Sequence, residues 1–533
     1  MSRSDPPRPP SADGSSLGAF LGTGEGARDH LTLLSGTAQN IIGLVVFVLG
    51  TFVANVLVSR AFGGGTAGAT ALGVVTLATQ FAFIAAAGTR FGMDMASVRR
   101  VAIEVGAGHG GRSRGIVVRA VFIAGCASAV VGALTFAMAE PLAHRLSDVD
   151  GTVDAMRAAA VAVTFVAVTY VYLGASRGLK IMRHTLYVQW VGQPLVWIAL
   201  MLLGWQVSKT LGMTVLAYAG SWILSAALAW YLWEREARRF PHEPVDKHEV
   251  GELVRYGAPR APAALLSQAL FWVDYFVASA YVSRGEVTSA ELGVYSACVR
   301  VALALVLFLT AVSYVFSPFV ADLHARGELE RLDRLYKAIT RWTVAGTIPL
   351  LLLMLIVPGP ILQIFGGKEF TQGDTALRIL LVGQAVNVSV GAAGFVLIMA
   401  GRTGWDLVVY TLSFLLDLAL SVVLVSAFGI EGAAASQAIT ITCSNALRLY
   451  LVYRFVRIHP YDRHYVRLVA PAAVTAALML GVHAVLSGSA WQVDLLGTAV
   501  IGGAGYLVAL VVLGLTPTER ATVRRVLRRE SVT

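Results

Sequence analysis

The sequence predicts an all-α polytopic membrane protein with about 14 transmembrane helices, arranged as two parallel-repeat six-helix lobes around a central cavity plus two C-terminal helices. Composition is the first observation behind this prediction. Of the 533 residues, 56% are hydrophobic and only 14% are charged, and mean hydropathy is +0.69. A soluble domain of this size does not need so much apolar surface, whereas a chain that crosses a bilayer repeatedly does. The second and third observations are a series of apolar segments and a weak internal repeat.

The apolar segments follow one another along the chain, and each approaches or exceeds the roughly 20 residues that a bilayer requires. They are residues 33–58, 67–90, 115–139, 155–176, 184–205, 211–233, 258–282, 290–318, 340–363, 375–400, 404–427, 431–455, 465–486 and 493–515. Before them, residues 1–30 are rich in Ser, Pro and Gly, which predicts a disordered cytoplasmic tail. We expect an N-lobe over residues 31–240 (helices 1–6) and a C-lobe over 241–457 (helices 7–12). Residues 458–533 would form helices 13–14 and a basic cytoplasmic tail.

Charges in the loops predict the orientation of these helices. The net charge is +10, which in a soluble protein would suggest nucleic acid, but here the cations are confined to short loops on one side. That side is therefore predicted to be cytoplasmic, with both termini on it and an even number of spans. The opposite loops carry several acids, and we call this the predicted outer side. Examples of these acidic residues are Asp148, Asp150, Asp154, Glu286 and Asp494.

A weak repeat relates the two halves. Leu72-Gly73-Val74 opens the second segment and Leu292-Gly293-Val294 opens the eighth, an offset of 220. Two further matches lie at nearly the same offset: Val58-Ser59-Arg60 with Val282-Ser283-Arg284, and Tyr231-Leu232 with Tyr450-Leu451. Six helices per repeat give both halves the same orientation. Parallel repeats of this kind place the substrate site between the lobes.

A transmembrane hairpin between Leu265 and Leu323 carries one charge in each arm, Asp274 and Arg300. The charges lie thirteen residues either side of Val287, so both should lie roughly 15–20 Å from the outer end, near the bilayer midplane. An Arg at that depth needs a partner or a wet cavity. Arg300 could bind a substrate anion or gate the transporter. Alternatively, it could form a buried structural ion pair with Asp274. Its planar fork of donors suits phosphate.

Other polar side chains at membrane depth are further candidates. The repeat aligns Gln80 with Arg300, and Asn40, Gln384 and Asn387 lie in other segments. With Arg300, these form our candidate substrate-binding set, although hydrogen bonding between helices explains neutral side chains equally well. Asp274 and Asp417 could bind a coupling Na⁺ or proton. No other cofactor, metal or catalytic residue is expected, because the three cysteines and ten histidines show no metal-type spacing.

Several motifs resemble the polysaccharide and O-antigen flippases of the multidrug/oligosaccharidyl-lipid/polysaccharide (MOP) exporter superfamily. They are an Asp in helix 7, then LGVYSA at 292–297 followed by Arg300, the Gln384/Asn387 run ending at Gly401-Arg402, and FGIEGAAASQA at 428–438. The resemblance implies a transporter in the bacterial cytoplasmic membrane. It would flip polyprenyl-diphosphate-linked oligosaccharide by alternating access, in contact with membrane lipid. A polysaccharide polymerase and a chain-length regulator would be partners by analogy. Arg90, Arg119 and Arg448 lie nearer helix ends; if they reach the interface, diphosphate recognition depends on Arg300 alone.

Three alternatives remain open at this stage. A major-facilitator drug/proton antiporter also has parallel six-helix repeats. Its cytoplasmic loop between helices 2 and 3 carries a motif with a Gly, an Asp and paired cations. Gly92, Asp94, Arg99 and Arg100 lie in the corresponding loop here, but their spacing does not match that motif. A multidrug cation antiporter of the MOP superfamily would need an acidic cavity, which the two aspartates favour and Arg300 opposes. An integral-membrane sugar polymerase or ligase would normally carry a large outer loop, and the longest outer loops here are short. We therefore expect a transporter and not an enzyme.

Overall fold

The computed structural model describes residues 25–147, 149–241, 243–244, 248–258, 261–400 and 402–514. Most of the predicted tail 1–30 and the basic tail after residue 514 lie outside them. The described residues form helices and contain no strand. We number the principal helices α1 Glu25–Ala61, α2 Gly65–Thr89, α3 Met93–Gly106, α4 Arg112–Ala137, α5 Ala139–Leu146, α6 Thr152–Gly178, α7 Arg183–Val207, α8 Leu211–Ala237, α9 His248–Gly257, α10 Ala261–Ala269, α11 Val273–Val282, α12 Ser289–Ala325, α13 Leu329–Ile356, α14 Asp374–Val390, α15 Ala393–Met399, α16 Thr403–Val456, α17 Val469–Leu486 and α18 Trp491–Ala509.

Eleven helices among the described residues are long and apolar enough to cross a membrane. The number rises to 13 if two bent pairs of helices each count as one span. An all-helical, multi-pass architecture is therefore confirmed, whereas the count of fourteen stays a prediction.

Helix α16 is a hairpin, although its 54 residues run without a loop. Gly429 inside it has φ 57° and ψ −132°, a conformation that residues with a Cβ avoid. The hydroxyls of Ser421 and Ser436, fifteen residues apart, lie 2.8 Å from each other. In a straight helix they would be separated by about 22 Å along the axis. The two arms therefore run side by side in opposite directions, as the predicted segments 404–427 and 431–455 require.

Two predicted segments are broken, where we expected continuous helices. The segment 258–282 divides into α10 and α11 with a bend of 61°, and the segment 375–400 divides into α14 and α15 with a bend of 44°. The second break falls at Gly391, where φ is 69°. The first break falls among apolar residues that look like helix interior in the sequence. Hydropathy gave no sign of either bend, because the side chains on both sides of each break are apolar.

Helix α2 belongs to the two largest hydrophobic cores. One core lies within residues 54–222 and includes Val74, Val75 and Ala78 of α2. The other core combines residues 275–434 with Ala69, Leu72 and Leu77 of the same helix. Opposite faces of α2 thus pack against the two halves of the chain.

Helices α2 and α12 cross at two glycines that occupy equivalent positions in the repeat. A Cβ at Gly73 would lie 3.0 Å from the carbonyl oxygen of Ser289, and a Cβ at Gly293 would lie 1.7 Å from that of Ala69. The repeat offset of 220 pairs Gly73 with Gly293 and Ala69 with Ser289. The two contacts are therefore equivalent, with the halves exchanged. Small residues at such a crossing let two backbones approach closely within a membrane.

The predicted outer ends of the two halves also meet through backbone groups. The amide of Gly65 donates to the carbonyl of Gly366 over 2.7 Å, and Nε of Arg60 donates to the carbonyl of Ile364 over 2.9 Å. The rings of Phe52 and Phe365 stack edge to face beneath them. This side of the molecule is therefore closed between the halves.

Ion pairs fasten the chain between the halves to the opposite, basic side. Arg100 contacts Glu252 at 2.9 Å and Arg112 contacts Glu243 at 3.6 Å, while the carboxylate of Glu104 pairs with both arginines. These cations therefore hold Glu243 and Glu252, on the chain between the halves, against α3 and α4.

Candidate functional site

The guanidinium of Arg300 lies where α12 meets α2. Its Nη1 donates to the carbonyl of Ser296 and its Nη2 donates to Oγ1 of Thr76, each over 2.9 Å. Its central carbon lies 5.5 Å from the centroid of the Trp272 ring. The hydrogen bond to Thr76 connects the two halves of the chain. Arg300 is thus held by neutral partners and an aromatic face.

The sequence left open a buried ion pair between Arg300 and Asp274, and the structure does not form it. Asp274 is fully buried and accepts hydrogen bonds from the hydroxyl of Tyr295 and from the amide of Tyr275 over 2.8 Å. The hydroxyl of Tyr275 in turn donates to the carbonyl of Gly73 over 2.6 Å. The tyrosines, and not the arginine, therefore satisfy the carboxylate, and they tie it to the crossing of α2 and α12.

Asp417 lies on the first arm of α16 and is also fully buried. Its Oδ1 accepts from the hydroxyl of Ser421 over 3.4 Å, and Ser421 contacts Ser436 of the second arm. Its Oδ2 has no hydrogen-bond partner among the described residues, and neither does the hydroxyl of Thr440. These two buried oxygen atoms are available to a ligand, a proton or a small cation.

Gln384 and Asn387 begin a chain of side-chain amides. Nδ2 of Asn387 donates to Oε1 of Gln384, and Nδ2 of Asn445 donates to Oδ1 of Asn387, each over 3.1 Å. These amides line a cavity of about 130 Å³ together with Asp417 and Arg448. The structure therefore brings Gln384, Asn387 and Asp417 together and places Arg300 and Asp274 on the neighbouring hairpin.

The remaining predicted site residues lie apart from this cavity. Gln80 is half-buried on α2, one turn beyond Thr76. Asn40 lies in α1 before Ile42, where side chains fall outside the described residues. The structure thus gives no role to either side chain.

Two of the arginines near helix ends have neighbours within the protein: Arg90 is buried and Arg448 is half-buried. Arg90 is only 6% exposed, pairs with Asp94 at 3.6 Å and stacks 4.2 Å from the centroid of the Tyr170 ring. Arg448 lines the amide-rich cavity. Position near a helix end was a poor guide, because neighbouring helices cover Arg90 and partly cover Arg448.

Sequence reasoning also missed Thr76, Tyr295 and Asn445. The repeat held a signal for the first of them, because an offset of 220 pairs Thr76 with Ser296, the other hydrogen-bond partner of Arg300. Tyr295 lies inside the LGVYSA motif, but the motif did not indicate its contact with Asp274, and nothing in the sequence distinguished Asn445 from other helix-packing residues.

The apolar helices and the buried polar groups between them indicate a multi-pass membrane transporter. The family model described as polysaccharide biosynthesis protein matches residues 30–324, more than half of the chain, and the chain belongs to this family. A second model, MatE, matches residues 263–423. These matches confirm the predicted membership of the polysaccharide flippase group of the superfamily.

Individual proteins show the same relationship at low identity. The probable low-salt glycan biosynthesis flippase Agl15 of Haloferax volcanii is 26% identical over 190 residues, which are 35% of this chain and 39% of that protein. The match thus spans about two fifths of the length of the relative.

Solved structures confirm the fold. Lipid II flippase MurJ in an inward closed conformation covers 90% of this chain and 98% of its own, with a TM-score of 0.68 and 13% identity. An inward-facing multidrug resistance MATE family transporter covers 80% of this chain and 98% of its own, with a TM-score of 0.65 and 12% identity. At such identities the structures show a shared fold and no more.

Proposed function

We propose that this protein flips a polyprenyl-diphosphate-linked oligosaccharide across the bacterial cytoplasmic membrane by alternating access, with both termini on the cytoplasmic side. One observation carries the proposal: a membrane-embedded guanidinium lies between the two halves and is held by Thr76 and Ser296, not by a carboxylate. A phosphate adds an opposite charge and accepts two parallel hydrogen bonds from one guanidinium, which a hydroxyl and a carbonyl on separate helices cannot do. A diphosphate can therefore replace these neutral partners of Arg300.

The names of related proteins support the substrate class. The matched relative from Haloferax volcanii is named as a glycan biosynthesis flippase, and a structure of similar fold is a Lipid II flippase. A polysaccharide polymerase and a chain-length regulator are proposed partners by the same analogy.

The placement of the contacts between the halves supports alternating access. The bonds of Gly65 and Arg60 close the predicted outer side, and the bond from Arg300 to Thr76 joins the halves deeper in the membrane. A substrate that occupies Arg300 removes one of these connections. Rocking of one half against the other would then open the outer side.

The test of the substrate-binding role uses purified protein in liposomes. A labelled polyprenyl-diphosphate oligosaccharide is placed in the outer leaflet, and its loss of accessibility is followed for wild type, Arg300→Ala and Arg300→Lys. We expect little movement with Ala and partial movement with Lys, which keeps the charge but lacks the planar fork. The matched control is Arg284→Ala, an exposed arginine of the same hairpin, which should move substrate like wild type.

Equal rates for all four proteins would exclude Arg300 from substrate binding. No movement by correctly inserted wild type, under either a Na⁺ or a proton gradient, would contradict the proposed substrate.

Asp417 and Asp274 are the proposed sites of the coupling ion, Na⁺ or H⁺. The unpartnered Oδ2 of Asp417 and hydroxyl of Thr440 offer two oxygen ligands beside the Ser421–Ser436 pair. Asp417→Asn keeps the shape but removes the charge, so we expect it to abolish gradient-driven transport while leaving substrate exchange. Gradient dependence like that of wild type in the variant would remove Asp417 from the coupling role.

The buried acids also favour a second candidate, a multidrug cation antiporter, because a cationic drug would need a carboxylate in the membrane. The same vesicles distinguish the two functions. Gradient-driven export of ethidium that is lost in Asp417→Asn, without movement of the lipid-linked sugar, would select the antiporter.

A further inference from the structure

A group of arginines on the basic side of the molecule has no acidic partners. Elsewhere on this side several cations pair with carboxylates, as Arg239 does with Glu236 at 2.7 Å and Lys337 does with Asp333. Around the two ends of α16, by contrast, exposed arginines form no ion pair with any carboxylate that the structure describes. They are Arg402, Arg454, Arg457, Arg463 and Arg467. Positive charge is thus left uncompensated at this place.

Two of these arginines share one aromatic ring. The guanidinium carbon of Arg402, just before the first arm of α16, lies 4.8 Å from the centroid of Phe455. The guanidinium carbon of Arg454, in the last turn of the second arm, lies 5.9 Å from the same centroid. The next carboxylate along the chain, Asp406, is half-buried and lies near Arg448. Like charges this close repel each other, and an anion beside Phe455 would offset the repulsion.

The backbone of α16 adds to the attraction for an anion. Arg402 is the N-cap residue of the first arm, and its side chain makes no capping hydrogen bond. A helix N-terminus carries a partial positive charge and favours anions. Beyond the end of the second arm, the guanidinium carbon of Arg457 lies 5.8 Å from the centroid of the exposed Tyr453 ring. Both ends of the hairpin thus present positive charge beside aromatic rings.

An apolar stripe leads away from this cluster along the first arm. It begins at Trp405, whose ring lies 5.7 Å from that of Phe455, and continues through Val408, Leu412 and Leu415, all of them exposed. Spacings of three or four residues place these side chains on one face of the helix. Tryptophan is also typical of the membrane interface. A ligand with a charged head and an apolar chain fits this surface better than a soluble anion does.

We propose that the ends of α16 form a binding site for an anionic phospholipid, with its phosphate on Arg402 and Arg454 and an acyl chain along the stripe from Trp405 to Leu415. A guanidinium donates strong, charge-assisted hydrogen bonds to a phosphate. Phospholipid headgroups lie at the depth where membrane helices end, and basic residues there attract anionic lipids. The site goes beyond the proposed function, because it is separate from Arg300 and does not depend on what is transported. Since the two arginines belong to different arms, one lipid would join both ends of the hairpin.

The first experiment measures lipid binding to the full chain, purified in detergent, by native mass spectrometry. The probes are dioleoyl phosphatidylglycerol, which is anionic, and dioleoyl phosphatidylcholine, which is zwitterionic. We expect the tightest site of wild type to prefer phosphatidylglycerol at least about tenfold. Each arginine near a membrane surface contributes about fivefold, so Arg402→Gln combined with Arg454→Gln should weaken phosphatidylglycerol binding roughly thirtyfold.

The matched control removes the same charge elsewhere on the basic side. Arg238→Gln combined with Arg334→Gln changes two exposed arginines that pair with Glu234 and Glu330, and it should bind phosphatidylglycerol like wild type.

A further variant tests the site without removing any charge. Phe455→Leu keeps an apolar side chain but removes the ring that holds both guanidinium groups. We expect it to weaken phosphatidylglycerol binding several-fold, because cation–π contacts fix the position of the two arginines. Binding like that of wild type in Phe455→Leu would show that the cluster is not a built site.

Three other results would also overturn the inference. Equal binding of the two lipids to wild type would exclude a headgroup preference. The same loss of binding in both pairs of arginine variants would indicate diffuse surface charge. Displacement of phosphatidylglycerol by an equal concentration of inorganic phosphate would assign the cluster to a soluble anion.

Discussion

Replacement of Gly293 by Ala tests the crossing of α2 and α12. The added Cβ would lie 1.7 Å from the carbonyl oxygen of Ala69. Carbon–oxygen contacts between close helices are about 3.3–3.6 Å, so the helices must separate by roughly 1.5 Å or more. The obstacle is backbone, and no change of rotamer can relieve it.

The energetic consequence can be bounded from this overlap. Overpacking of a well-packed core costs about 1–3 kcal/mol. If the crossing exists only while the predicted outer side is closed, a cost of about 2 kcal/mol shifts the balance between closed and open forms roughly thirtyfold. Gly73→Ala should shift it less, because its Cβ would lie 3.0 Å from the nearest oxygen.

Spin labels can measure this shift. One label replaces Asp150 and the other replaces Glu286, both exposed on the predicted outer side, after serine replaces the three native cysteines. We expect a broader and longer distance distribution with Gly293→Ala than with wild type. Gly503→Ala, which adds a Cβ with no atom within 4 Å, should leave the distances unchanged. Identical distributions for Gly293→Ala and wild type would refute the reasoning.

Two further substitutions test other parts of the fold. Gly429→Ala places a Cβ on a backbone with φ 57° and ψ −132°, which costs about 1–3 kcal/mol. The melting temperature of this variant should therefore fall below those of wild type and of the control Gly404→Ala. Melting at the wild-type temperature would contradict the chain reversal at Gly429. Tyr275→Phe removes the hydrogen bond to the carbonyl of Gly73, which is worth about 1 kcal/mol. The variant should insert into the membrane but unfold at a lower denaturant concentration than wild type. An unchanged unfolding midpoint would show that the bond contributes nothing.

Much of the fold could be predicted because a membrane leaves few alternatives. Backbone groups in lipid must be satisfied within the chain, so apolar segments of sufficient length become helices. The α11–α12 hairpin and the two arms of α16 follow from apolar runs separated by turn residues. Gly73 and Gly293 were recognised as equivalent, although the sequence could not show that they touch.

The site was harder to predict because its residues depend on tertiary contacts. Arg300 could be identified as a candidate because a charge in an apolar segment is costly unless it has a function or a partner. Its partner Thr76 could not, because a threonine is common within a membrane helix. Arg448 was set aside by its position near a helix end. Its place on the cavity wall depends on Gln384 and Asn387 of α14 and on Tyr410, and no local pattern encodes that neighbourhood.

The crossing of α2 and α12 has the form of a subunit interface. In a dimer with two-fold symmetry, residue i of one copy contacts residue j of the other, and j contacts i. Gly73 meets Ser289 and Gly293 meets Ala69 in the same reciprocal way, with both partners now in one polypeptide. Two identical copies would show equal distances, so the values of 3.0 Å and 1.7 Å for the added Cβ atoms show that the crossing is only approximately symmetric. Two halves of one polypeptide can carry different side chains at equivalent positions. Here the second half has Arg300 where the first half has Gln80.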